Sequence, residues 1–171
     1  MNKSICVFSS SSNKIDPVYF ETAKELGALI ARQGYSLVYG GADVGLMGAL
    51  ARSAHANGGK VIGVIPEKLR DKEFAYAEAD ELIVTKDMRD RKTIMEERSD
   101  AFLALPGGFG TLEEILEILT LKMLKYHSKP VALINTNNFY EYLVNLFEHV
   151  IREQFAKPSG REHYEVVSDP T

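Results

Sequence analysis

Short apolar, β-branched runs alternate with helical patterns along almost the whole chain, and that alternation leaves few folds open. The runs fall at residues 4–9, 36–39, 60–65, 81–85, 101–105 and 130–134. Helical periodicity occupies about 17–33, 46–57, 88–98, 111–125 and 138–154. A run without polar alternation suits a strand buried on both faces, as in a parallel sheet between two helical layers. The expectation is therefore an α/β fold: a single, doubly wound, mainly parallel sheet with helices on both faces, Rossmann-like, spanning 1–171 as one domain. A short edge strand is also read at 164–167. Sheets of this kind bind ligands outside the carboxyl ends of their strands.

The most informative strand end is 101–114, Ala-Phe-Leu-Ala-Leu-Pro-Gly-Gly-Phe-Gly-Thr-Leu-Glu-Glu. Pro106, Gly107, Gly108 and Gly110 permit a tight turn, and Thr111 opens an apolar-rich helix. Strand, glycine turn and helix start in succession make an anion site, because free N–H groups and the helix dipole point outward together. A plainer reading stands beside it. Thr111-x-x-Glu114 fits a capping box, in which Glu114 only ties off the helix start.

Helical winding separates the acidic residues of 111–125. Leu112, Ile115, Leu116, Leu119 and Met123 form the expected core stripe, with Glu113, Glu117 and Thr120 opposite. Glu114 falls at the border of the apolar surface, where partial desolvation raises a carboxyl pKa and favours chemistry over capping. Leu121 and Leu124 lie outside the stripe, an apolar surplus that suits a subunit interface. In the helix at 88–98, Met88, Ile94 and Met95 mark the inward side. Arg91 shares it and so requires an anionic partner; Arg98 falls near it too, and periodicity alone does not separate the two.

The other strand ends are less specific. Ser9–Ser12 is a hydroxyl-rich turn before a helix started by Asp16-Pro17. Gly41, Gly45 and Gly48 bracket the next strand-to-helix turn, but their spacing is neither the dinucleotide fingerprint nor a Walker loop. Gly41 and Gly45 are expected to line the site. The charged stretch 66–74 is long enough to fold over it.

Composition narrows the classes. A formal net charge of −4 offers no basic footprint for nucleic acid, and no apolar stretch approaches the length that crosses a membrane. A single cysteine, Cys6, in the first apolar run excludes an internal disulfide, so a cytoplasmic protein is expected. His55, His127, His149 and His163 show no ligand spacing, so no metal is expected.

Pro-Gly-Gly-Phe-Gly-Thr-Leu-Glu-Glu at 106–114, with Arg91-Lys92 upstream, resembles the two motifs of the LONELY GUY (LOG) family, and the likeness runs from Ile5 to about Asp169. The resemblance implies a phosphoribohydrolase that cuts cytokinin riboside 5′-monophosphates, and often AMP, to free base and ribose 5-phosphate without a cofactor. It implies a homodimer as well. It makes Arg91 and Glu114 catalytic and puts Gly107, Gly108, Phe109, Gly110, Thr111, Leu112, Glu113 and Lys92 against the substrate. Gly41 and Gly45 match a segment near the nucleotide, and Glu73 is the positional match to a substrate-touching glutamate. Arg89 stands where relatives often carry histidine. Two other classes remain open: a non-catalytic nucleotide-binding sensor, and the pyridoxal-phosphate decarboxylase that an old family label suggests. The chain is short for the latter and has no recognisable cofactor-lysine context.

Overall fold

The computed structural model describes residues 3–70 and 75–171. Among them, strands β1 (Ser4–Phe8), β2 (Ser36–Tyr39), β3 (Val61–Pro66), β4 (Glu81–Thr85), β5 (Ala101–Ala104), β6 (Val131–Ile134) and β7 (Glu165–Val167) form one sheet. Their order is β4-β3-β2-β1-β5-β6-β7, and every paired strand is parallel. The short run at the end of the chain is therefore a true edge strand.

Among the described residues six α-helices connect the strands: α1 (Pro17–Arg32), α2 (Gly45–Ala56), the short α3 (Glu67–Arg70), α4 (Met88–Glu97), α5 (Phe109–Met123) and α6 (Glu141–Arg152). Alternation along the strands divides the core into two layers. Val7, Leu37, Tyr39 and Val61 face α1 and α2, where Leu26, Ile30, Leu46 and Leu50 complete one cluster. Cys6, Phe8, Val38, Ile62 and Phe102 face the other way, against Met95 of α4 and Ile115, Ile118 and Leu119 of α5. The sheet is thus covered on both faces, as its apolar runs require.

Local signals explain several boundaries. Asp16 caps α1, accepting from the Val18 N–H at 2.9 Å, and Pro17 occupies the first turn. Gly45 opens α2 with φ +57°, and a Cβ there would collide with the Ser10 and Ser11 backbone. The turns after β1 and β2 can touch only because this residue is glycine: the Leu46 N–H donates to the Ser10 carbonyl at 2.9 Å. Gly45→Ala should therefore cost roughly 2 kcal/mol or more, combining left-handed strain with backbone displacement. Thermal or denaturant unfolding measures it directly.

Two expectations need correction. Helix α5 starts at Phe109, two residues before Thr111, with Gly108 as its N-cap. Its buried face also differs from the expected stripe: Thr111, Glu114, Ile115, Ile118 and Leu119 are buried, whereas Leu116 and Met123 are exposed. Helix α6, for its part, packs Leu143, Val144 and Phe147 partly into the core and leaves Leu146 exposed, as is Phe139 just ahead of it.

Candidate active site

The strand order reverses between β1 and β5, so their carboxyl ends diverge into helices on opposite faces and leave a crevice. A pocket of about 210 Å³ opens there, lined by residues from five successive strand-to-helix connections. Ser9, Ser10 and Ser11 follow β1, Met47 belongs to α2, Leu69 to α3, and Met88 and Arg91 to α4. Gly110, Thr111 and Glu114 come from α5. The turns after Ser9, Tyr39 and Leu105 converge as the sequence leads one to expect.

The N-terminus of α5 forms one wall. Its first helical bond runs from the Leu112 N–H to the Gly108 carbonyl, so the N–H groups of Phe109, Gly110 and Thr111 precede the helical ladder. Gly107 has no room for a side chain, since a Cβ would collide with Thr111. Gly108 and Gly110, by contrast, face open space, leaving the helix start unobstructed for an anion. Because α5 begins at Phe109, Thr111 is not its cap, and the capping-box reading of Glu114 falls away.

Glu114 instead lies one turn into the helix, turned inward and 7% exposed. Its partner is Arg91, also 7% exposed, with Nη1 3.7 Å from Glu114 Oε1. Arg91 is itself held by main chain: Nε donates to the Val64 carbonyl at 3.1 Å and Nη2 to the Gly40 carbonyl at 3.4 Å. Val64 lies within β3 and Gly40 directly follows β2, so two neighbouring interior strands fix the guanidinium. A Cβ at Gly40 would collide with Nη2 of Arg91. Gly40 is therefore the functional residue the sequence reading passed over, hidden beside the more conspicuous Gly41.

Burial pushes the Glu114 carboxyl up to about 7 although Arg91 pulls it down; Glu113 and Glu117 add to the rise, and Lys92 opposes it. The pair thus combines a fixed cation with a carboxylate that titrates near neutrality. Ser9 Oγ is buried in the same crevice without a hydrogen-bond partner among the described residues, a hydroxyl available to a ligand.

The other expected site residues are placed as follows. Phe109 is 93% exposed at the helix start, and Leu112 packs against the core. Lys92 does not line the crevice; its ammonium pairs with Glu113 and Glu117 across the α4–α5 seam. Gly41, at φ +80°, lies against Ile65 and Val64 of β3, and Gly45 against the Ser10–Ser11 turn, so both support the crevice from behind. Arg98 turns away and pairs with Glu81 at 2.7 Å. Glu73 lies outside the described residues.

Comparison with known proteins bears on the chain as a whole. The family model described as "Possible lysine decarboxylase" matches residues 47–171. The cytokinin riboside 5′-monophosphate phosphoribohydrolase LOG5 of Arabidopsis thaliana is 42% identical over 93% of this chain and 70% of its own. The Arabidopsis protein LOG6, a probable enzyme of the same name, is 41% identical over 99% of this chain and 83% of its own. Among solved structures, the molybdenum cofactor binding protein of Rippkaea orientalis superposes with a TM-score of 0.73 at 27% identity, covering 99% of this chain and 92% of that one. With identity above 40% running almost end to end, the chain belongs to the LONELY GUY family of phosphoribohydrolases.

Proposed function

We propose that this protein hydrolyses the N-glycosidic bond of a purine nucleoside 5′-monophosphate, a cytokinin riboside 5′-monophosphate or AMP, to the free base and ribose 5-phosphate. The observation that carries this reading is the buried Arg91–Glu114 pair, which shares one crevice with the open N-terminus of α5. Phosphate binds the N–H groups of Phe109, Gly110 and Thr111, which puts the sugar beside Glu114. The bond from C1′ to the base nitrogen breaks with its electron pair leaving on the base, and positive charge develops on the sugar. Ionised Glu114 stabilises that charge and accepts a proton from the water that attacks C1′. The departing base takes up a proton in turn. Arg91 holds the nucleotide and keeps Glu114 in place. Met47, Leu69 and Met88 form an apolar wall for the base.

The test is a panel of nucleoside 5′-monophosphates, including AMP and an N6-prenylated analogue, with detection of ribose 5-phosphate and no added cofactor. Turnover should fall on the acid side with a midpoint near 7, where Glu114 takes up its proton. Tight binding of every nucleotide with no product would favour a binding or carrier role, which the likeness to the Rippkaea protein keeps in view.

We further propose that two copies associate through the outer face of α5 and α6. Leu124 is 63% exposed, Met123 42% and Leu116 38%, and an apolar groove of about 170 Å³ runs between α5 and α6. A two-fold axis beside such a patch buries it on both chains at once. Leu124→Glu should yield monomers by light scattering and lower turnover with them; a wild-type monomer with full activity counts against this assembly. Leu121 is a poorer probe, since it lines a cavity next to Glu114. Among the described residues no helix is long and apolar enough to cross a membrane. Cytoplasmic placement fits the proposal, Cys6 being a free, buried thiol.

A further inference from the structure

Behind Glu114, away from the crevice, lies a second cavity of about 30 Å³, lined by Lys92, Thr93 and Glu96 of α4 and by Glu114, Glu117 and Ile118 of α5, among others. It has room for a water molecule or two and little more. Around it Glu114 is buried and Lys92 largely so, whereas solvent partly screens Glu113 and Glu117. Lys92 reaches across the helix seam to Glu113 and Glu117, one turn apart on α5 and on either side of Glu114 in the chain. Its side chain is 19% exposed, against 55% for Glu113 and 41% for Glu117. Neighbouring residues of α4 thus grip neighbouring residues of α5: Arg91 takes Glu114, and Lys92 takes the two carboxylates that flank it.

We propose that Lys92 is a positioning residue that acts through Glu114 and not a ligand of the substrate. By holding Glu113 and Glu117 it offsets their negative charge at the back of the reacting carboxylate and fixes α5 against α4. The ionisable groups around Glu114 are Arg91, Lys92 and Glu96 from α4, Glu113 and Glu117 from α5, and the Cys6 thiol from β1, which burial keeps protonated. Lys92 is the cation on the rear side of this set. Removing its charge leaves two carboxylates facing a third, so Glu114 becomes harder to ionise. Removing Glu117's charge does the reverse.

The inference rests on Glu114 as the reacting carboxylate, and its test is chosen to stand apart from that premise. The Glu114 carboxyl is titrated by carbon-detected NMR in the wild type, Lys92→Met, Glu117→Gln and the double variant, alongside the pH profile of turnover. Lys92→Met should raise the Glu114 midpoint, and the acid limb of activity with it, by roughly half to one pH unit. Glu117→Gln should lower both by a similar amount, and the double variant should fall between. The KM for nucleotide should stay within about twofold. A tenfold or larger rise in KM for Lys92→Met with an unmoved limb, together with an unchanged midpoint in Glu117→Gln, overturns the proposal and makes Lys92 a substrate ligand. If Lys92→Met fails to fold, the downward shift in Glu117→Gln still decides. Retained turnover in Glu114→Gln would remove the hydrolytic role of Glu114 without touching the titration.

Discussion

Replacing Glu114 with glutamine should nearly abolish turnover while making the protein more stable. The loss follows from removing the only carboxylate in the crevice among the described residues, and general-base contributions are worth roughly 10²–10⁴ in rate. The gain follows from linkage. The carboxyl titrates near 4.5 in the unfolded chain and about 7 in the fold. Between those values the folded protein binds more protons than the unfolded one, so stability declines as pH rises through the window. At pH 8 the ionised carboxylate destabilises the fold by about 3 kcal/mol relative to its neutral form. Glutamine imitates that neutral form, so the variant should be more stable by about that amount at pH 8 and indistinguishable near pH 4.5. Denaturant unfolding at the two pH values checks it. Equal stability at both would mean that Glu114 is not held against its own ionisation.

The second large effect is expected at a residue that carries no functional group. Gly40→Ala puts a methyl where Nη2 of Arg91 now rests against the strand end. Either the guanidinium leaves the Gly40 and Val64 carbonyls or the turn after β2 moves; the side chain is the softer of the two. Displaced, Arg91 no longer faces Glu114, and a misplacement of about 1 Å in such a site costs roughly 10²-fold. The variant should thus reproduce Arg91→Ala in turnover while folding better than it, because no buried charge site is emptied. With Arg91 displaced, the Glu114 carboxyl loses the cation that lowers its pKa, so the acid limb of the profile should also move up. Turnover close to wild type in Gly40→Ala would show that the arginine works from another position.

The strands were legible because burial on both faces leaves an unbroken apolar signature, and Asp16-Pro17 announced its helix through residue types that act locally. The start of α5 was not, because Gly108 caps it with backbone alone and Thr111-x-x-Glu114 imitates a cap two residues late. Leu116 and Met123 fit the apolar stripe by spacing, yet the core contact of α5 covers Ile115, Ile118 and Leu119 and leaves those two exposed. Arg91 was marked as inward by its helical phase, yet its contacts at Gly40 and Val64 are products of sheet order, which no local pattern encodes. For Lys92 the motif supplied an expectation of substrate contact, whereas the seam between α4 and α5 gives it Glu113 and Glu117 instead. Those glutamates read as a solvated face because their partner lies about twenty residues away on another helix.

The grip of two main-chain carbonyls on Arg91 bears on how this enzyme can diversify. Carbonyl oxygens are common to all residue types, so mutation of the surrounding side chains leaves those two acceptors in being. Met47 and Leu69, which line the same crevice, are not among those acceptors, whereas the Met88 sulfur also accepts from Arg91 Nη1 at 3.6 Å. A lineage can therefore drift or be selected at Met47 and Leu69, reshaping the wall proposed to meet the base, while the Arg91–Glu114 pair stays registered to the sheet. Libraries that randomise Met47 and Leu69 should consequently change which nucleobase is released far more readily than they extinguish hydrolysis.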